Sequence, residues 1–230
     1  MNTLSSRYRA VLFDLDGTLV DSIPDLASAT NAMLNDLGMA TLPLAQLSQF
    51  VGKGSDMLIK RALANKLIPD EPEETLFSRA RQLFKKHYHH DNGTQSQLYP
   101  YVVEGLHTLQ KAGLLLAVVT NKPEEFTHPL LDKMGITHFF DCIVSGDTCS
   151  RKKPFPDPLF YACKKLNISP QEALFIGDSI NDAQAAQAAQ MDVLLLPYGY
   201  NEGISVQTLK VNAIVEDIRF VAEWISAQNN

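Results

Sequence analysis

Cysteine is scarce in this chain. Its three copies, Cys142, Cys149 and Cys163, show no CxxC spacing. That argues against a disulfide framework and a thiolate zinc site, and suits small hydrophobic side chains in a reducing compartment. An excess of positive charge is missing as well. Twenty Lys+Arg against 26 Asp+Glu leave a formal net charge of −6, without the basic patch that a nucleic-acid partner calls for. No apolar run is long enough to span a bilayer, and residues 1–9 carry no signal-peptide core. A cytoplasmic location with no membrane partner is therefore expected. Internal repeats and low-complexity segments are absent too. What remains is an ordinary globular composition over 230 residues, room for one core or for a core with a smaller insertion.

The chain is organised around the stretch Val11-Leu12-Phe13-Asp14-Leu15-Asp16-Gly17-Thr18-Leu19-Val20-Asp21-Ser22. Ala10 to Phe13 read as a short buried strand. It ends in two carboxylates two residues apart and then a glycine, which predicts that the backbone turns and leaves both acids at the strand's carboxyl end. In open α/β sheets that is where ligands bind. Paired acids delivered by an apolar strand are costly unless a cation or a reaction needs them. Taken alone, the Asp-x-Asp pair reads first as a polar strand-to-turn junction, because such acidic junctions are common.

After Ser22 the pattern is helical. Leu26, Ala29, Met33 and Leu37 share a face, Gly38 suits the end of that helix, and further helices are predicted over 43–50, 55–66 (with Ser55 as N-cap) and 71–90. Residues 22–95 thus form an all-helical block inserted after the first strand. Alternating strands and helices resume with strands at 114–119, 141–145, 174–176 and 193–196, and a short edge element at 213–215. Residues 1–21 and 96–230 are therefore expected to form an α/β core, a doubly wound parallel five-stranded sheet. Its strands end in polar clusters: Thr120-Asn121-Lys122-Pro123 after the second, and Gly177-Asp178-Ser179-Ile180-Asn181-Asp182 after the fourth. The loop after the third carries Lys152 and Lys153-Pro154-Phe155-Pro156-Asp157-Pro158. Each cluster has a plain structural reading: a strand-end hydroxyl, a solvated lysine, a helix cap. His87, His89 and His90 read as a solvated helix terminus rather than a ligand set. Gly52-Lys53-Gly54 is either a tight turn or a loop that lets backbone approach a ligand.

Together, in this order, these motifs resemble those of the haloacid dehalogenase superfamily of phosphohydrolases. The resemblance implies that Asp14 is the nucleophile and that Asp16 is the acid and base. It puts Mg²⁺ on Asp14, the Asp16 backbone carbonyl and Asp178. Asp182 then holds either the metal's water shell or Lys153, with Ser179 beside it. Thr18, Thr120 and Asn121 would meet the phosphate, and Lys153 would screen it. The helical block becomes a cap whose Gly52, Lys53 and Gly54 read the substrate. Asp16 argues against a dehalogenase, which has no leaving alcohol to protonate. A β-phosphoglucomutase-like mutase and a pyrophosphatase share the core motifs. A receiver domain would leave about half of the chain unexplained. The implied substrate is a small phosphorylated metabolite, with 2-phosphoglycolate foremost, acted on by a monomer or homodimer.

Overall fold

A computed structural model of the chain describes residues 7–228. The reading of the amino-terminal segment lies outside the described residues for 1–6, as do the ends of the expected core at 1–6 and 229–230. In chain order the elements are β1 (Ala10–Phe13), β2 (Val20–Asp21), α1 (Ile23–Asp36), α2 (Leu44–Phe50), α3 (Ser55–Ala64) and α4 (Glu74–Asp91). There follow β3 (Gln97–Leu98), α5 (Val102–Lys111), β4 (Leu115–Val119), α6 (Glu124–Lys133), β5 (Cys142–Val144) and α7 (Asp157–Leu166). The chain continues with β6 (Ala173–Gly177), α8 (Ile180–Ala188), β7 (Asp192–Leu195), β8 (Ala213–Ile214) and α9 (Arg219–Ala227).

The main sheet is parallel, in the order β5-β4-β1-β6-β7-β8. β1 lies between β4 and β6, with Phe13 opposite both Val118 and Ile176. Side chains alternate across a strand, and both faces of β1 are apolar. Val11 and Phe13 join Val118, Ile176 and Leu194 under α5, α6 and α9. Ala10 and Leu12 join Ala117, Phe175 and Leu195 under α7 and α8. Burial on both sides is why these strands read as unbroken hydrophobic runs.

The sheet has six strands rather than the expected five, because Ala213–Ile214 pairs with β7 in parallel. Two residues are too few to show a period, so sequence alone left it an edge element. A second, two-stranded antiparallel ribbon, β2 with β3, was not foreseen for the same reason. Helix boundaries shift slightly. Gly54, at φ +84°, takes the N-cap position of α3 and Ser55 is already helical; Glu73 caps α4 through the Thr75 and Leu76 amides.

Helices α1–α4 share a separate apolar core, with Met33, Leu47, Ile59 and Phe84 inside it and Phe126 and Tyr200 reaching in from the α/β portion. The two chain passages between this block and the sheet are knotted by Asp25 in the first turn of α1. Its buried carboxylate accepts the amides of Gly93, Thr94, Gln95 and Ser96 at 2.8–3.1 Å and the hydroxyls of Thr94 and Ser96. Burial pushes the Asp25 pKa up, but the bonds from Ser96, Gln95 and Thr94 outweigh it and hold the group below the ordinary carboxylate range.

Asp25→Asn is expected to cost about 2–3 kcal/mol, because an amide cannot accept from so many amides and leaves some unpaired. For a chain of this size that is about 5–10 °C in Tm. A depressed folded-state pKa gives stability that is complete above the unfolded value of about 3.9 and is lost as the pH falls through the folded value. Thermal melts should therefore show the gap to wild type narrowing in acid. A gap independent of pH would contradict the assignment.

Candidate active site

The carboxyl ends of β1, β4 and β6 bring the sequence motifs together. Asp14 follows β1 directly; its amide donates to the Ile176 carbonyl at 2.9 Å and its carboxylate accepts from the Leu15 amide at 2.8 Å. The Lys153 ammonium lies 2.8 Å from Asp14 and 2.8 Å from Asp182. That lysine is nearly sealed from solvent, 3% exposed. Asn121 holds the lysine's backbone from both sides, accepting from the Lys153 amide and donating to the Lys153 carbonyl, each at 3.0 Å. Lys152, adjacent in sequence, lies near Gly54 instead.

The acids after β6 divide their roles. Asp182 stands at the third position of α8 and closes a capping box with Ser179, accepting its hydroxyl at 2.7 Å and its amide at 3.0 Å. Asp178 accepts the Tyr200 amide at 2.5 Å and the Thr18 hydroxyl at 2.9 Å. Thr18, expected at the substrate, is fully buried behind Asp178. Two glycines make room for that carboxylate. A Cβ on Gly17 would stand 2.3 Å from an Asp178 oxygen, and one on Gly199 would stand 2.1 Å away. Gly17 also sits at φ +89°, backbone that other residues adopt only under strain.

One carboxylate oxygen each from Asp14, Asp178 and Asp182 can be chosen so that all three lie within 4.8 Å of one another, in the one cluster with metal-ligating potential among the described residues. Burial, outweighing Lys153 and reinforced by Asp182, pushes Asp14 up to about 7. Burial together with Asp182 and Asp14 pushes Asp178 well above the carboxylate range. Lys153 moves upward despite its burial, because Asp14 and Asp182 favour its charge. One ammonium against three buried carboxylates leaves negative charge uncompensated, and an all-oxygen donor set is what a hard divalent cation takes. The residues present fit such an ion. The histidines do not: His87 pairs with Asp36, His89 with Glu125 and His90 with Asp91, each going its own way.

Asp16 turns to Lys122, a residue that sequence reasoning passed over. The Lys122 ammonium lies 3.0 and 3.3 Å from the two Asp16 oxygens and 2.5 Å from the Tyr88 hydroxyl of α4. Thr120 accepts the Lys122 amide at 3.2 Å through its hydroxyl. A cavity of about 40 Å³ lies between the sheet and the helical block, lined by Asp14, Asp16, Thr120, Asn121, Lys122 and Tyr88 among others. Gly52 and Gly54 reach its wall, and the Gly52 carbonyl accepts from the Asn121 side chain at 3.0 Å. Lys53 points elsewhere: its ammonium is 2.9 Å from Glu202, which Arg61 also engages at 2.6 Å. Cys149 lies outside the site, against Arg151 and Phe160.

The family model for haloacid dehalogenase-like hydrolases matches residues 11–196. A phosphoglycolate phosphatase of Nitrosospira multiformis is 47% identical over 210 residues, 91% of this chain and 92% of its own. One from Colwellia psychrerythraea is 48% identical over 194 residues, 84% of this chain and 86% of its own. Among solved structures, a predicted phosphoglycolate phosphatase from Haemophilus somnus superposes with a TM-score of 0.89 at 36% identity, covering 96% of this chain and 99% of its own. The sheet, the acid cluster and these matches agree: the chain belongs to the haloacid dehalogenase-like hydrolase family. Within it, the chain is an enzyme of the phosphoric monoester hydrolase kind. Among the described residues no helix is long and apolar enough to cross a membrane.

Gly17→Ala and Gly199→Ala, far apart in sequence, crowd the same Asp178 oxygen. Each is expected to weaken divalent-cation binding by at least about tenfold, the scale on which displaced supports of a ligand act. Titration calorimetry checks this. Unchanged affinity in both would remove Asp178 from the ion's ligands.

Proposed function

We propose that the protein is a Mg²⁺-dependent phosphatase that converts 2-phosphoglycolate to glycolate and phosphate through an aspartyl-phosphate on Asp14. The observation that carries this reading is the pairing of Asp14 and Asp16 in one cavity, each held by its own buried lysine. The relatives' shared activity supports the choice of substrate.

An Asp14 oxygen attacks phosphorus and the ester P–O bond breaks. The departing glycolate oxygen takes a proton from Asp16. Asp16, now a carboxylate, removes a proton from a water that attacks the phosphorus of the aspartyl-phosphate. The P–O bond to Asp14 breaks and inorganic phosphate leaves. Repulsion between Asp14 and a phosphate dianion is about 4 kcal/mol per charge pair at ~4 Å and an effective dielectric of about 20, and Lys153 offsets part of it. Asp14, Asp178 and the Asp16 backbone carbonyl would hold Mg²⁺, which supplies further positive charge when bound. Asp182 fixes Lys153, while Thr120 and the Asn121 backbone donate to the phosphate oxygens.

Residues 22–95 serve as the cap in this reading. The 40 Å³ cavity has room for roughly three waters, so substrate enters when the helical block swings away. Closure excludes bulk water from the aspartyl-phosphate until the positioned water attacks.

A phosphate-release screen over small monoesters with Mg²⁺ tests the reading, with the highest kcat/KM expected for 2-phosphoglycolate. EDTA should abolish turnover, and Asp14→Asn should remove it, since an amide is not a competent nucleophile. Asp16→Asn should slow both the formation and the breakdown of the intermediate. Near wild-type kcat in Asp14→Asn would refute the nucleophile assignment, and full activity without metal would refute the ion.

A further inference from the structure

Two requirements define a reader for the end of the substrate remote from phosphorus. It must line the cavity, and it must have a donor it can turn to a ligand. Lys153 is committed to Asp14 and Asp182. Lys53 and Arg61 both face Glu202, and neither lines the cavity. Lys122 is the one lysine, arginine or histidine lining it among the described residues. Of the cavity's other walls, Leu26, Val51, Leu58 and Phe126 are apolar and Ser55 brings a neutral hydroxyl, so the positive charge an anion needs comes from Lys122.

Lys122 is also held for the task. Its carbonyl accepts the Gly146 amide at 2.7 Å and the Thr127 hydroxyl at 3.0 Å, and its amide donates to Thr120. Tyr88 is fixed by stacking on Phe84 at 5.3 Å and by an edge contact with Phe126 at 4.8 Å. The ammonium has three N–H donors. Both Asp16 oxygens, at 3.0 and 3.3 Å, and the Tyr88 hydroxyl take them, and the longer Asp16 contact is the one a ligand's carboxylate displaces. Both side chains are buried, Lys122 at 4% and Tyr88 at 1% exposed, so a charge-assisted contact there is little weakened by water.

We infer that Lys122, positioned by Tyr88, is the specificity residue that binds the substrate's carboxylate, and that the preferred substrates are short phosphate monoesters carrying a carboxylate. This rests on the proposed phosphatase reading and moves recognition of the acid from Lys53 to Lys122. Tyr88 belongs to the helical block, so the complete reader exists only with the block closed. An acidic substrate thereby favours closure.

The test compares 2-phosphoglycolate with ethyl phosphate, which has the same carbon count and no carboxylate, in the full-length protein with saturating Mg²⁺. Wild type should prefer 2-phosphoglycolate. Lys122→Met should reduce kcat/KM for 2-phosphoglycolate about ten- to a hundredfold more than for ethyl phosphate, with the difference lying in KM. Lys122→Arg should recover part of the preference, and Tyr88→Phe should lose part of it. These two variants carry the same comparison should Lys122→Met fail to fold. Equal losses on both substrates would make Lys122 a support for Asp16 alone and overturn the inference. So would no loss on either, or a wild type indifferent to the carboxylate. A wild type that prefers another carboxylated monoester overturns 2-phosphoglycolate as the substrate, while the differential at Lys122 still stands or falls on the matched pair.

Discussion

Three carboxylates held out of water beside one ammonium repel one another, and the surrounding chain is built to keep them there. Burial alone disfavours their charged forms, and Asp14 and Asp178 are both pushed upward by it. The arrangement persists because each of the three carboxylates has partners of its own. Asp182 takes Ser179 and Lys153, Asp178 takes Thr18 and Tyr200, and Asp14 takes Leu15 and Lys153. Removing one partner of such a set leaves an uncompensated buried charge, which costs far more than the set contributes when complete. The lack of side chains at Gly17 and Gly199 belongs to the same constraint, since both positions are emptied to let Asp178 in.

The helical block meets this charged centre through contacts of two kinds. At the crossing passages Asp25 ties α1 to residues 93–96 with main-chain bonds, which makes the crossing stiff. Farther out, Lys53 and Arg61 meet Glu202, and the Gly52 carbonyl meets Asn121. Between the two lie the Tyr88–Lys122 bond and the seating of Phe126 and Tyr200 in the helical core, and the two ion pairs at the outer edge end on flexible side chains. A block tied by main-chain amides at the crossing and by side chains at the outer edge separates more readily at that edge, which is the motion the proposed cap requires.

Much of this was legible before any coordinates. The apolar runs named five of the six strands of the main sheet, and β1 read clearly because its neighbours bury both of its faces. The convergence of Asp14, Asp178, Asp182 and Lys153 was legible only from the motifs taken together and in order, since each alone has a plain structural reading as a turn acid, a helix cap or a solvated lysine. The misses share a cause. β2, β3 and β8 have two residues each, too short for a period of two to show. Ser55 looks like a cap by residue type, yet Gly54 takes the position because the backbone there has positive φ. Asp25 looks like an ordinary first-turn acid; its true partners lie about seventy residues away and have no local signal.

Lys122 and Lys53 show the limit most clearly. Both are lysines outside helices and strands, and sequence favours Lys53 because glycines flank it, whereas Lys122 stands between Asn121 and Pro123. A lysine's role, though, follows from the carboxylate it faces, and that is settled by long-range packing. Lys53 meets Glu202 across the outer edge, Lys153 meets Asp14 and Asp182 in the interior, and Lys122 meets Asp16 at the cavity wall. The interior pair is screened from solvent and acts at close to full strength, whereas the half-exposed Lys53 pair is weakened by water and salt. One residue type thus appears as latch, electrostatic anchor and cavity donor. Lys122 and Lys153 are equally buried, so it is access to the cavity, which Lys122 alone of the three has, that decides which can discriminate between ligands.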